Sequence, residues 1–218
     1  MPGAVRDHHP PRFITFEGIE GSGKTTQLGR LSETLAARAV GHLATREPGG
    51  TPVGDQVRGI LLHPASVLGP WSELMLYAAA RAEHVTRVIR PALDSGRHVL
   101  CDRFTDATRA YQGYGRGLPL DAIEALHAFE PLRLEPDRTL LFDLEPAEGL
   151  DRARGRSASR GDDSEDRFEQ ETLAFHARVR AGYLDLARRH PARFRVVEAR
   201  GGVDEVAARV LAALGDLL

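Results

Sequence analysis

Lysine occurs once in this chain, at Lys24; the other 28 of its 29 Lys and Arg residues are arginine. That lone ammonium closes the run Gly18-Ile19-Glu20-Gly21-Ser22-Gly23-Lys24-Thr25, followed by Thr26. The spacing is that of a phosphate loop, G-x-x-x-x-G-K-[ST]. Its glycines let backbone N–H groups turn inward around phosphate oxygens, and the helix that follows adds its positive end. A compact ammonium on a flexible stem can follow charge as a phosphoryl group moves, whereas a planar guanidinium is too large and too rigid for that position. All nine residues, Gly18 through Thr26, are therefore expected to bind nucleotide phosphates, with the Thr25 hydroxyl on Mg²⁺.

A second chemical signal lies at Asp102 and Arg103. Asp102 ends an apolar run, 98–102, where a Walker-B-type carboxylate would hold Mg²⁺ directly or through water. Arg103 follows at the edge where open α/β sheets bind ligands, and suits a phosphate clamp. By itself the pair could equally be a strand-end cap. Cys101, just inside the strand, reads as a small core residue. Trp71 reads as packing a helix end, His84 is given no role, and Phe13 and Phe16 read as core.

The elements that must position these groups follow from periodicity. Short apolar runs at 13–17, 42–45, 98–102, 139–143 and 194–197 predict five strands. Helical spacing at 25–38, 53–62, 71–93, 120–129 and 203–217 predicts the helices between them, the long one interrupted only by Pro91. Alternating strands and helices predict an α/β fold of the P-loop NTPase type: three layers, α/β/α, around a five-stranded parallel sheet. At 218 residues, with 42% hydrophobic and 28% charged residues, the chain fits one domain over 13–218. Residues 1–12 read as a disordered extension without the apolar core of a signal peptide. A formal net charge of −2 gives no basic field for nucleic acid, and no apolar run approaches a membrane span. A single cysteine fits a reducing cytoplasm.

One segment breaks the pattern. Residues 152–166 carry Arg152, Arg154, Arg156 and Arg160 among glycines and carboxylates, lie between helical stretches and show no apolar face. They read as a solvated loop or as a mobile lid over phosphates, and the phosphate loop elsewhere in the chain favours the lid. The absence of Asn, with the only Lys already used, excludes the N-K-x-D base-reading motif of a GTPase.

Four separated blocks then resemble one family. Residues 16–26, 45–50, 102–104 and 110–117 match, in order, the marks of the thymidylate kinases, which transfer a phosphoryl group from ATP to dTMP. The resemblance covers residue 13 nearly to the C-terminus. It implies that Glu20 reaches the acceptor's sugar and phosphate region, and that Arg58 and Arg103 hold the acceptor phosphate. It also implies that Tyr77 stacks on thymine, and that Arg81, Thr108 and Gln112 read its edge, with Glu47 in the same acceptor site. Tyr77 and Arg81 are four residues apart, which puts both on one helix face. Without the resemblance they would read as helix surface. Gly21 stands where one branch of the family has an arginine, so this chain resembles the branch whose catalytic arginines come from the lid. Ala107 stands where many members have serine.

The expected reaction is Mg²⁺-dependent transfer from ATP to dTMP, giving dTDP and ADP for dTTP synthesis. Lys24, Arg103 and the four lid arginines are its catalytic cations, and the resemblance also implies a homodimer. Residues 199–202 are the expected adenine contact. Another nucleotide kinase and a nucleotide-dependent switch are the competing readings; a switch has no need of the acceptor-site blocks.

Overall fold

Strand β1 (Phe13–Glu17) is buried at every position and sits in the middle of a five-stranded, all-parallel sheet. Its neighbours are β2 (His42–Arg46), β3 (His98–Asp102), β4 (Arg138–Asp143) and β5 (Phe194–Glu198), in the order β2-β3-β1-β4-β5. The computed structural model behind this description covers residues 10–159, 167–215 and 217, without the side chains of 156–159. A central parallel strand is covered on both faces, which is why β1, β3 and β4 read as continuous apolar runs.

The register brings chemistry to one edge. Phe16 pairs with Asp102, and Arg46 with Asp102, so β1, β2 and β3 end at the same level. From β1 the chain crosses to β2 on one side, and from β3 it returns past β1 to β4 on the other. The crevice at the carboxyl ends of β1 and β3 is thus a topological switch point, where ligands bind in such sheets.

Helix α1 (Lys24–Ala37) starts inside the phosphate loop and buries Leu28, Leu31 and Leu35 on one face. Its N-cap, Gly23, is left-handed and no side chain caps it, so its first N–H groups remain for a ligand. Helix α2 (Pro52–Leu62) opens with Thr51 capping Gly54 N and with proline in its first turn. Helix α3 (Pro70–His84) runs through a π-helical turn, Val85–Ile89, into α4 (Arg90–Asp94). Pro91 has no N–H to return to the preceding turn and its ring crowds that turn, which accounts for the widening just before it.

Between Asp102 and Leu120 the sequence signals no element, yet α5 (Thr105–Thr108) leads into a second π-helical turn, Arg109–Gly115. Thr, Tyr and Gly are weak helix formers, and burial of nearly the whole turn erases the amphipathic pattern. Helix α6 (Leu120–His127) follows. Helix α7 (Pro146–Ser159) runs into the segment expected to form a lid: residues 152–159 are helical rather than loop, and Ala153 is fully buried. Residues 160–166, including Arg160, lie outside the described residues, as does most of the expected extension 1–12. Arg12, at the end of that extension, is already tied to the sheet through His98 and Val99. Helix α8 (Leu173–Arg189) packs on the second π turn, and α9 (Val203–Leu214) on α1 and β5. Cys101 is buried, as expected, whereas Trp71 is half exposed.

Candidate active site

A cavity of about 550 Å³ opens at the carboxyl edge of β1, β2 and β3. Glu20, Lys24, Thr25, Glu47, Arg58, Tyr77, Arg81, Asp102, Arg103, Thr108 and Gln112 all line it. With Gly21, which also lines the cavity, twelve of the expected site residues therefore meet in one place. Gly18, Ile19, Ser22, Gly23 and Thr26 shape the phosphate loop from outside the cavity wall; Ile19 and Ser22 are buried beneath it.

At the phosphate end, Lys24 donates from Nζ to Ile19 O at 2.7 Å and lies 3.2 Å from Ser22 Oγ. Burial, and secondarily Arg103, lower its pKa to about 8. The Thr25 hydroxyl donates to Asp102 Oδ2 at 2.6 Å. A hydroxyl and a carboxylate brought together are oxygen ligands of the kind a hard cation takes. Among the described residues there is no cluster of three or more His, Cys, Asp or Glu that could hold a metal ion.

Arg103 has φ 68°, an uncommon conformation for a residue with a side chain. It is held there by its N–H to Phe16 O and by Phe104 N–H to Glu17 Oε1, at 2.7 Å. The strained turn sends its guanidinium back across the phosphate loop. Nη1 donates to Gly18 O at 2.8 Å and Nη2 to Glu20 Oε1 at 2.8 Å. Tyr111 OH lies 2.7 and 2.8 Å from the two Glu20 oxygens, and His176 Nδ1 lies 3.3 Å away. Burial by itself would raise the Glu20 pKa, but Arg103, His176 and Lys24 outweigh it and hold the carboxylate well below its usual range.

At the other end, Arg81 is only 2% exposed, so it is not the helix surface its sequence pattern suggests. It donates from Nε to Glu47 Oε2 at 2.7 Å and from Nη2 to Phe104 O at 3.0 Å; its Nη1 is 3.0 Å from His127 Nε2. Burial and the Arg81 charge push the His127 pKa down to about 2, so His127 is neutral and accepts from Arg81. Glu47 also meets His84, whose other ring nitrogen reaches Thr45. The Glu47–Pro48 bond is cis, and Arg58 donates to Pro48 O at 3.0 Å. Thr108 Oγ1 is buried with no partner among the described residues, in the wall of this cavity.

Several participants escaped the sequence reading. Tyr111, His176 and Tyr183 converge on Glu20 and Arg103 from α8 and the second π turn, and nothing in the sequence signals that approach. His84 could have been found: Tyr77, Arg81 and His84 follow the i, i+4, i+7 spacing of one helix face.

The lid arginines are not brought to the cavity among the described residues. Arg152 donates to Glu148 and to Ala199 O, and Arg154 is exposed; the Arg156 side chain and Arg160 lie outside the described residues.

Residues 16–210 match the family described as thymidylate kinase. Curated relatives of that name include proteins from Syntrophotalea carbinolica, 56% identical over 91% of this chain and 92% of the relative, and from Desulfosudis oleivorans, 54% identical over 93% and 95%. The crystal structure of thymidylate kinase from Ehrlichia chaffeensis is similar with a TM-score of 0.73 at 35% identity, covering 94% of this chain and 98% of that one.

Proposed function

The chain belongs to the thymidylate kinase family, and from that membership we propose which of its residues carry the ATP-dependent phosphorylation of dTMP to dTDP. The observation that carries the assignment is the meeting of the Lys24 loop and the Thr25–Asp102 pair with Tyr77, Arg81, Thr108 and Gln112 in one cavity. ATP phosphates bind in residues 18–26. Their oxygens replace Ile19 O and Ser22 Oγ as partners of Lys24. Thr25 and Asp102 would hold Mg²⁺, which when bound would supply charge neutralisation at the phosphates.

The acceptor dTMP lies with its base against Tyr77 and its phosphate towards Arg58 and Arg103. Thymine is a hydrogen-bond acceptor at O4 and a donor at N3. Arg81 offers only donors, and Thr108 and Gln112 can answer N3. Glu47 fixes Arg81 and closes that end of the site. Glu20 orients Arg103 and the sugar end of the acceptor. The acceptor phosphate oxygen is already a nucleophile, so no side chain has to remove a proton. Catalysis is positioning plus stabilisation of charge on the transferred group.

Arg152, Arg154, Arg156 and Arg160 are the proposed lid cations. Support comes from α7, whose Gly149 backbone abuts Glu20 and Gly21 and so starts the Arg-bearing helix at the phosphate loop. Residues 13–218 act as one catalytic domain after the extension 1–12, working in the cytoplasm as a homodimer. Val53 and Ile60 on α2, and Trp71 and Met75 on α3, are each about half exposed; they sit at i, i+7 and i, i+4, and α2 packs on α3. Among the described residues no helix is long and apolar enough to cross a membrane.

Two assays test the assignment. A purified-enzyme panel of dTMP, dUMP, dCMP, dGMP and thymidine with ATP should show preference for dTMP; equal rates would refute the base-reading roles. Lys24→Ala should lower kcat by at least about 10³ without changing the fold, since it removes the one cation that follows the phosphoryl group.

A further inference from the structure

Glu73 lies in the first turn of α3 with no exposed surface. A carboxylate so deep is tolerated only when fully paired. It receives Arg116 Nε and Nη2, each at 3.2 Å, and Arg167 Nη2 lies 2.7 Å from Oε2. Its remaining partner among the described residues is not a cation. Gln112 Nε2 donates to Glu73 Oε1 at 2.8 Å, and Gln112 is the only one of these partners on the cavity wall.

A glutamine amide is ambiguous, with two donors at one end and an acceptor at the other. A carboxylate between two guanidiniums is an acceptor at both oxygens. It therefore selects the NH₂ end of Gln112 and leaves Oε1, which has no partner among the described residues, for whatever enters the cavity. A 4-oxo pyrimidine presents an N3–H donor to such an acceptor. A 4-amino pyrimidine presents a bare N3, and two lone pairs face each other. We propose that Glu73 is a positioning residue that fixes the Gln112 amide with Oε1 towards the base, and thereby sets selectivity for 4-oxo over 4-amino pyrimidine nucleotides. This rests on the reading that the base lies at Tyr77, Arg81 and Gln112.

The test compares kcat/KM for dTMP and dCMP in the same enzyme sample, a ratio in which any inactive fraction cancels. Glu73→Gln should reduce the dTMP-to-dCMP ratio at least tenfold, mainly through KM for dTMP. In a Gln112→Met background the same substitution should change the ratio less than threefold. A wild-type enzyme without dTMP preference would sink the base-site reading itself. A selective wild type whose Glu73→Gln variant keeps the ratio, or loses it equally in the Gln112→Met background, overturns the Glu73 proposal alone.

Should Glu73→Gln fail to fold, the wild-type protein decides. The chain has four glutamines, Gln27, Gln56, Gln112 and Gln170, and no asparagine, so its NMR spectrum holds four side-chain carboxamide NH₂ pairs. The Gln112 pair is the one missing from Gln112→Met. Its protons should exchange at least tenfold more slowly than those of exposed Gln56 in the free enzyme, with no further protection on adding dTMP. An unprotected pair, or protection that appears only with dTMP, would show that the NH₂ end faces the ligand and would overturn the proposal.

Discussion

Lys24 stands apart by composition, and the structure adds that burial brings its pKa down to about 8 in the free chain. The ammonium is charged below that value and lost above it. The rate at limiting ATP should therefore be flat below about pH 8 and fall above it. At saturating ATP the limb should move upward, because bound phosphate favours the charged form. A pH–rate profile with no limb up to pH 9.5 would contradict this. Lys24→Arg keeps the charge but places a rigid fork in a pocket now held by Ile19 O and Ser22 Oγ. It should lose at least about 100-fold in kcat with a nearly unchanged melting temperature, as read by steady-state kinetics and calorimetry. The residue types of the site were legible in the sequence because each chemistry has a narrow set of side chains. Tyr111 and His176 were not, because a buried tyrosine or histidine in a chain looks like any other until its partner is known.

The phosphate loop shows how elements constrain one another. Gly21 has φ 71°, and a Cβ there would lie 1.9 Å from Gly149 O and 2.7 Å from Gly149 C, in the first turns of α7. Backbone cannot give way as a side-chain tip can. The sequence reading took Gly21 as the mark of a loop without its own arginine, and the α7 contact is the physical reason that no side chain fits. Gly21→Ala should therefore lower the urea midpoint well beyond Gly23→Ala. Gly23 also has positive φ, 87°, but a Cβ there meets nothing within 4 Å, leaving a strain cost of about 1 kcal/mol. Equal midpoints would remove the packing argument. At this scale the five strands and the long helices could be read from periodicity. The segment 105–115 could not, since a helix buried all round has no polar face to reveal its period. The helical state of 152–159 was not legible for a related reason: an Arg- and Gly-rich stretch with one buried alanine looks like loop, yet α7 carries through it to Ser159.

Across the whole molecule, buried charge links stability to pH. Glu17 ends the central strand with no exposed surface; burial, then Asp106, raises its pKa to about 8. Below its ordinary pKa of 4.5 the folded and unfolded chains both hold the proton. Between 4.5 and 8 the unfolded chain releases it while the folded chain keeps it, so stability falls with rising pH by up to about 1.4 kcal/mol per unit. Glu17→Gln removes this term, and its stability relative to wild type should improve from pH 5 to pH 8; a constant difference in denaturation curves would count against it. Assembly can be tested at the same scale. Met75→Glu, placed among the half-exposed apolar residues of α2 and α3, should shift the sedimentation coefficient from dimer to monomer. The sequence by itself determined the fold class and the phosphate loop, because those rest on local spacing and on side-chain chemistry, whereas the acceptor-site residues were named through the family resemblance. Only the tertiary structure decided that Arg81 is buried on Glu47, that Arg103 turns back onto Glu20, and that Glu73 holds Gln112. Each joins segments 34 to 83 residues apart, and no local period records which side chains a parallel sheet and its crossovers bring together.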